Sequence, residues 1–386
     1  MTAPERGFST AEFRNRTRAA QSLMAEHDLA ALLLTTEAEI RYYTGFLTRF
    51  WESPTRPWFV VLPSSGEPIA VIPSIGAHLM KQSWITDIRT WSAPDYVDDG
   101  ISLLSDTLGE VTPPTGRIGV ADQMESLVRI PLADLRMLES RLLPRLLVSD
   151  QTITRRLRLV KSETEIAKVR HACAIADRAF NRVPEIASEG VALSMVFRRF
   201  QMLCLEEGAD WLPYLAGAAG QSGYGDVISP ATDVPLSKGD VLMLDTGLVW
   251  DGYFCDFDRN FSVGSPDKEV EVAHGCLIDS VQAAAERARP GAMIADLFHA
   301  MNAVVNPSGN IMEAGRLGHG LGMQLTEWPS IIPQDETVLV PGMVLTLEPS
   351  VEVANGQIMV HEENIVIREN GAEFLSAPQP PEIRVV

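Results

Sequence analysis

Apolar and polar positions change texture midway along the chain. From about 10 to 150, helix-like and strand-like segments alternate. Ser9 or Thr10 can cap a helix whose apolar positions include Phe13, Leu23 and Met24. The run Leu29-Ala30-Ala31-Leu32-Leu33-Leu34 predicts a buried strand. Phe59 to Leu62 and Ile69 to Ile72 flank the turn-forming stretch Pro63-Ser64-Ser65-Gly66-Glu67-Pro68, which predicts a hairpin. Gly119-Val120-Ala121 predicts one more short strand. No cluster of potential ligands lies in this half, so it is expected to be scaffold or substrate cover.

A charged helix is predicted over 155–182. It carries Lys161, Glu163, Glu165 and Lys168, with Ile166, Val169 and Ala172 at helical spacing. It is expected to open a second domain, giving boundaries of 1–154 and 155–386. A second amphipathic helix is predicted over 194–207. Beyond it strands and hairpins dominate, interrupted by helical patterns over 268–288 and 294–305. A mixed α/β (α+β) architecture follows. At 386 residues the chain exceeds one ordinary core, which agrees with two domains.

Charge and cysteine content narrow the partners. The net charge is −19, and no run of Lys or Arg is dense enough to track phosphates, which argues against nucleic acid. No apolar run is long enough to span a bilayer, and the opening MTAPERGFSTAEFRNR lacks a secretion-signal core. Cys173, Cys204, Cys255 and Cys276 form no CxxC spacing or disulfide pattern, so cytoplasmic residence is expected. Most of the acidity is expected to be solvated surface.

A few acids stand apart. Two alternating runs, 241–250 and 253–261, flank Asp251-Gly252, a strong signal for a two-residue hairpin. With 250 opposite 253, Asp245 falls opposite Asp258 and Gly247 opposite Asp256. Asp245 and Asp256 are then diagonal neighbours on one face, and Asp258 shares it. Like charges so placed are destabilising unless a cation joins them. His319 follows in Gly318-His319-Gly320-Leu321-Gly322, where flanking glycines leave an imidazole open to a ligand. Asn355-Gly356 signals a second hairpin between 344–349 and 358–364. A two-residue loop there pairs 348 with 363 and sets Glu348 and Glu362 on opposite faces. Pro349 cannot donate to a ladder and bends the strand at that point. Several acids and an imidazole gathered in one cavity could not all stay ionised without cations, so a metalloenzyme is expected.

The settings LDTG, YFCDFDR, GHGLG, LEPS and HEEN, in this order, resemble the family of methionine aminopeptidase, prolidase, aminopeptidase P and creatinase. The similarity spans most of the chain. Arg158-Leu159-Val160-Lys161-Ser162-Glu163-Thr164-Glu165-Ile166 is similar to that family's entry into its catalytic domain. Tyr42-Tyr43-Thr44-Gly45-Phe46 is similar to a turn of the N-terminal domain in the prolidase and creatinase branches. The resemblance implies a C-terminal pita-bread catalytic domain, an N-terminal creatinase-like domain and a homodimer. It implies two divalent transition-metal ions, Mn foremost, with Fe, Co or Zn as alternatives. Asp245 would be a terminal ligand and Asp256 a bridge. His319 and Glu348 would hold the second ion, and Glu362 would be the other bridge. Glu348 would also accept a proton from water. Asp258 is a possible sixth carboxylate, and His361 a candidate proton donor or substrate contact.

The chain also departs from the family. Peptidases typically carry a histidine seventeen residues before the first Asp, where this chain has Ile228. They carry another seven residues after the ligand His, where it has Thr326. Creatinase, ectoine hydrolase and a dimethylsulfoniopropionate lyase share the scaffold without being peptidases. Glu327-Trp328-Pro329 is similar to the lyase branch, whereas Gly247 stands where the lyase has a further Asp. Trp211, Tyr214, Tyr224, Trp328 and Trp51 are candidate walls of an aromatic substrate box. Glu327 and Arg49 are further candidate substrate contacts, and Arg56 and Arg259 could bind a carboxylate. Three functions stay open. The first is a metallohydrolase cleaving an amide-type C–N bond in a short peptide or small amino-acid derivative. The second is a metal-dependent lyase of a small sulfonium or related acid, and the third a catalytically silent binding protein.

Overall fold

The computed structural model describes residues 2–53, 57–307 and 315–386; the candidate carboxylate binder Arg56 lies outside them. Contacts divide the chain into two compact units, Glu5–Arg158 and Leu159–Val386, the first four residues grouping with the second unit. Among the described residues, no helix is long and apolar enough to cross a membrane.

The first unit is built on a six-stranded sheet. Its strands are β1 (Ala31–Leu34), β2 (Phe59–Pro63), β3 (Ile69–Pro73), β4 (Asp87–Trp91), β5 (Arg117–Val120) and β6 (Leu146–Ser149), in the order β4-β3-β2-β1-β5-β6. β1, β2 and β3 are antiparallel neighbours, as the predicted hairpin requires, and the outer pairings are parallel. β1, β2 and β3 are buried at every position, the mark of a sheet covered on both faces. Helices Ile101–Val111 and Leu132–Leu142 cover one face through Leu104, Leu108, Leu138 and Leu142. The first helix, Thr10–Glu26, is capped by Ser9, whose side chain accepts from the Glu12 amide. Tyr42-Tyr43 does not form a turn. It ends helix Glu37–Thr44, started by a Thr36/Glu39 capping box and stopped by Gly45 at φ 76°.

The predicted charged helix is two helices, Ile153–Leu159, which straddles the contact boundary, and Glu163–Asn181 in the second unit. Ser162 breaks the run: its side chain accepts from the Glu165 amide while Glu165 reaches back to the Ser162 amide. Such a box contributes about 1 kcal/mol and fixes a helix start. Helix Leu193–Glu206 follows.

One sheet then runs β18 (Arg384–Val385), β10 (Phe257–Ser262), β8 (Asp240–Trp250), β7 (Trp211–Gln221), with the short β9 (Tyr253–Phe254) also on β8. A second runs β12 (Glu327–Ser330), β11 (Gly318–Gly320), β13 (Val344–Leu347), β16 (Glu363–Arg368), β17 (Gly371–Phe374). The hairpin β14 (Ser350–Glu352) and β15 (Ile358–Val360) extends from it. Helices Lys268–Arg287 and Ile294–Val305 pack on Leu317, Ile331, Leu345, Leu347, Ile365 and Ile367, burying the apolar face of the second sheet.

Candidate metal centre

The Asp-Gly hairpin sets the first two acids. Asp251 and Gly252 take positive φ of 45° and 69°, as a tight two-residue turn requires, and Trp250 pairs with Tyr253. The ladder then brings Asp245 opposite Asp258, the expected register. The Cys255 amide still donates to the Leu248 carbonyl at 3.1 Å, but at Asp256 the ladder is interrupted and the second sheet takes hold of the backbone. The Asp256 amide donates to Asn364 Oδ1 at 3.0 Å. Its carbonyl accepts from Asn364 Nδ2 and from Thr346 Oγ1. Asp256 thus ties the two sheets together.

The second hairpin corrects the sequence register. Val353 pairs with Gln357, leaving three loop residues, Ala354, Asn355 and Gly356, where two were expected. Leu347 is level with Glu363, and the His361 amide donates to the Pro349 carbonyl. Residue 348 is therefore level with 362, and residues level on antiparallel strands share a face. Glu348 and Glu362 join Thr346 and Asn364 on the side facing Asp256.

Asp245, Asp256 and Glu362 each offer a carboxylate oxygen within 4.8 Å of the others, and all three are buried. Burial, and then repulsion from neighbouring acids, raises all three carboxyls well above the ordinary range. Glu348, half-buried, lies outside this triplet, but its charge acts on every member. His319 Nδ1 sits 2.8 Å from the Gly320 carbonyl, which can only accept, so that nitrogen carries the proton. Nε2 lies 3.3 Å from Asp256 Oδ2. Asp245 Oδ1 and Glu362 Oε2 are buried without a hydrogen-bond partner. Orphaned anionic oxygens beside an imidazole nitrogen fit a divalent cation.

Asp258 and His361, the other candidate catalytic groups, belong to a different network. Asp258 shares the face of Asp245, but its oxygens are taken up. Oδ1 accepts from the Glu362 amide at 2.5 Å and lies 3.5 Å from His361 Nδ1, while Oδ2 accepts from Asn260 Nδ2 at 3.2 Å. His361 is 1% exposed, and strand alternation turns it away from the cluster, toward Asp258 and Glu363. Burial alone would lower its imidazole pKa, but those two carboxylates outweigh burial and raise it. Glu363 accepts from Arg259 at 3.0 Å, from Ser376 and from the Gln379 amide. Despite burial, Arg259 and His361 hold Glu363 down to about 2. Arg259 also donates to the carbonyls of Asp258, Glu362 and Ala377. It is a structural partner in the interior, not a surface carboxylate binder.

The predicted substrate contacts divide similarly. Tyr214 hydrogen-bonds Asp245, and burial with that charge raises its phenol strongly. Trp211 starts the same strand opposite Val249, half-buried. Trp328 is half-buried on β12. Tyr224 is no pocket wall: it is 1% exposed, and its hydroxyl is held by Asn260 and the Val360 amide. Glu327 is committed to Lys161 at 3.1 Å and to the Met323 and Gln324 amides, so it pins a turn. Trp51 is buried against Trp58 and Arg129, and exposed Arg49 pairs with Glu52, both inside the first unit. Sequence reasoning missed Asn364, Arg316 and Leu325. Asn364 ends the HEEN motif and Arg316 stands just before GHGLG, so position beside a motif was the available signal.

Fold and site together define a metal-dependent enzyme built around a carboxylate cluster between two sheets. The chain belongs to metallopeptidase family M24, whose model matches residues 167–369, and is a hydrolase of a family that uses divalent metal ions. The creatinase/prolidase N-terminal domain model matches residues 16–160. A probable dipeptidase PepE of Mycobacterium tuberculosis is 31% identical over 372 residues, 95% of each chain. An Xaa-Pro dipeptidase of Pyrococcus horikoshii is 31% identical over 228 residues, 58% of this chain and 64% of its own. The crystal structure of dipeptidase PepE from Mycobacterium ulcerans superposes with TM-score 0.84 at 28% identity, covering 98% of this chain and 99% of that one. A Thermococcus sibiricus prolidase gives TM-score 0.87 at 21% identity, covering 98% of this chain and all of its own, a likeness of fold alone.

Proposed function

We propose that this protein is a dinuclear metal-dependent dipeptidase, hydrolysing the peptide bond of short substrates of the Xaa-Pro type. The observation that carries this reading is the buried triplet Asp245, Asp256 and Glu362, with two orphaned oxygens aimed into one space beside His319. Asp245, Asp256, His319, Glu348 and Glu362 would hold the ions. This oxygen-rich donor set with one nitrogen suits Mn, with Fe, Co and Zn as alternatives. Bound ions supply Lewis acidity toward the scissile carbonyl and make a water nucleophilic at neutral pH.

The chain's own residues do the rest. Glu348, the half-buried acid of the group, accepts the proton of the attacking water and passes it to the departing amine nitrogen. Tyr214 holds Asp245 in place through its hydroxyl. Leu325 walls the site: a Cβ added at Gly247 would lie 2.1 Å from its Cδ1. The position where the lyase branch bears an extra acid is thus filled by an apolar neighbour, which favours hydrolysis over elimination.

The test is metal analysis and hydrolysis of Ala-Pro by the wild type and Asp256→Asn, purified without added metal and then reconstituted with Mn. About two ions per chain and turnover in the wild type alone are expected. Bound metal without hydrolysis of any dipeptide would remove the peptidase reading. No metal uptake in either protein would remove the metalloenzyme reading.

A further inference from the structure

The helix Ile294–Val305 has two faces of different character. Ile294, Leu297, Phe298 and Met301 turn inward to the core over the second sheet. Asp296, His299, Ala300 and Ala303, at i, i+3, i+4 and i+7, line an open cleft of about 750 Å³ on the other side. Its rim is the segment 287–292, where helix Lys268–Arg287 ends and the chain turns back. Backbone bonds hold that rim in place. The Gly291 amide donates to the Leu339 carbonyl at 3.0 Å, the Leu339 amide to the Ala292 carbonyl at 2.8 Å, and the Ala292 amide to the Arg289 carbonyl at 3.1 Å. Gly291 makes the turn at φ 89°, which other side chains rarely adopt.

Arg287 and Arg289 line this cleft, and among the described residues neither guanidinium has an ion-pair or hydrogen-bond partner. The chain holds 51 Asp and Glu against 32 Lys and Arg, so acids to pair with are plentiful. Other arginines have found them: Arg89 pairs with Asp87 and Glu110, Arg178 with Glu207, and Arg368 with Glu163 and Glu373. The acid of the cleft, Asp296, is turned to its own helix start, where Oδ2 accepts from the Met293 amide at 2.8 Å. His299 adds an imidazole to the lining. Two unpaired guanidiniums and an imidazole match a phosphate, which each planar fork can hold through two parallel bonds. The cleft has the volume of a small-molecule site, about 300–1,000 Å³, and far exceeds a bare phosphate ion. Ala300 and Ala303 offer only methyl groups there, a floor suited to an uncharged organic part.

We propose that this cleft binds a phosphorylated small molecule, with its phosphate on Arg287, Arg289 and His299 and its organic part over Ala300 and Ala303. The site shares no residue with the acid cluster, and the proposal does not depend on the dipeptidase reading. Calorimetric titration of the Mn-loaded protein with AMP, phenyl phosphate, adenosine and inorganic phosphate tests it. At least one of the two esters is expected to bind about 10-fold or more tightly than inorganic phosphate, and adenosine more weakly than AMP. The double variant Arg287→Gln/Arg289→Gln, both surface positions, should lose about 10- to 100-fold of the ester affinity, the worth of hydrogen bonds to a charged group. Its thermal melt and its hydrolysis of Ala-Pro without added ester should match the wild type. Asp256→Asn should keep the ester affinity, which separates the cleft from phosphate held at the metal ions. Affinity unchanged in the double variant, or lost in Asp256→Asn, would overturn the proposal. So would the absence of ester binding, or adenosine binding as well as AMP. Esters no tighter than inorganic phosphate would reduce the cleft to a place for an adventitious ion only.

Discussion

Two groups of buried acids lie side by side in the second unit, and they differ in how far their charge is met from within the chain. Asp245, Asp256 and Glu362 face one another with two oxygens unsatisfied, and burial with mutual repulsion drives their carboxyls upward. Asp258 and Glu363 are as deeply buried; burial raises the Asp258 carboxyl against the pull of His361 and Arg259, while Glu363 is held at about 2 by Arg259 and His361. Burial is common to both groups, so it cannot be what makes an acid a ligand. The difference is prior neutralisation: the second group has its cations built into the chain, and the first must recruit them. Asp258 looks like a ligand in sequence because it faces Asp245, but the Glu362 amide, Asn260 and His361 already occupy it.

Breaking the compensated group should cost the most stability. Glu363→Ala strands Arg259 and His361 in the interior, and such breaks cost about 3–5 kcal/mol. Urea unfolding should show that loss, with Glu363→Gln losing less because Arg259 and the Gln379 amide keep an acceptor. A loss below about 1 kcal/mol would mean the network is not compensating charge. Asp258→Asn sharpens the boundary between the groups. If Asp258 is a support and not a ligand, metal stoichiometry should stay at the wild-type value while affinity falls about 10- to 100-fold, as for outer supports of metal ligands. Loss of one ion per chain would move Asp258 into the first group.

Much of this was legible in the chain, for reasons that differ from place to place. Asp251-Gly252 specifies a loop of known length, so parity carried correctly from Trp250 to Asp245 and Asp258. Asn355-Gly356 gave the same signal, but Ala354 joins the loop, and one extra residue exchanges the faces of His361 and Glu362 relative to Glu348. The break at Ser162 was available as a Ser-x-x-Glu box inside the charged helix. Contacts such as Asp258 with the Glu362 amide join segments 104 residues apart, and no local pattern encodes them. Composition could not separate Tyr214 on Asp245 from Tyr224 in the core, because both are tyrosines in one Gly- and Ala-rich stretch. Arg316, whose charge acts on Asp256, escaped because strand alternation does not hold through Gly318, at φ 134°.

The smallest effect compares the two groups through pH. The acids of the first group have folded-state values above their unfolded ones. Their protonated form is therefore favoured by folding, and that stability is complete below the unfolded carboxylate range and lost as pH rises through the folded values. Glu363 has the opposite sign: its contribution is present above its ordinary 4.5 and lost as pH falls toward 2. Chelated protein should thus gain stability as pH falls toward the ordinary carboxylate range, by up to about 1.4 kcal/mol per pH unit for each proton the folded state holds and the unfolded chain has lost. Protein loaded with Mn should have a flatter profile in that window, because the ions stand in for the protons. Below about pH 4.5 both forms should weaken together, because Glu363 takes up a proton in the unfolded chain while it stays ionised in the folded one down to about 2. Thermal melts of the chelated and loaded forms across pH 4–8 measure the difference. Parallel profiles above pH 6 would mean that the first group carries its own compensation, and the contrast between the two groups would fall.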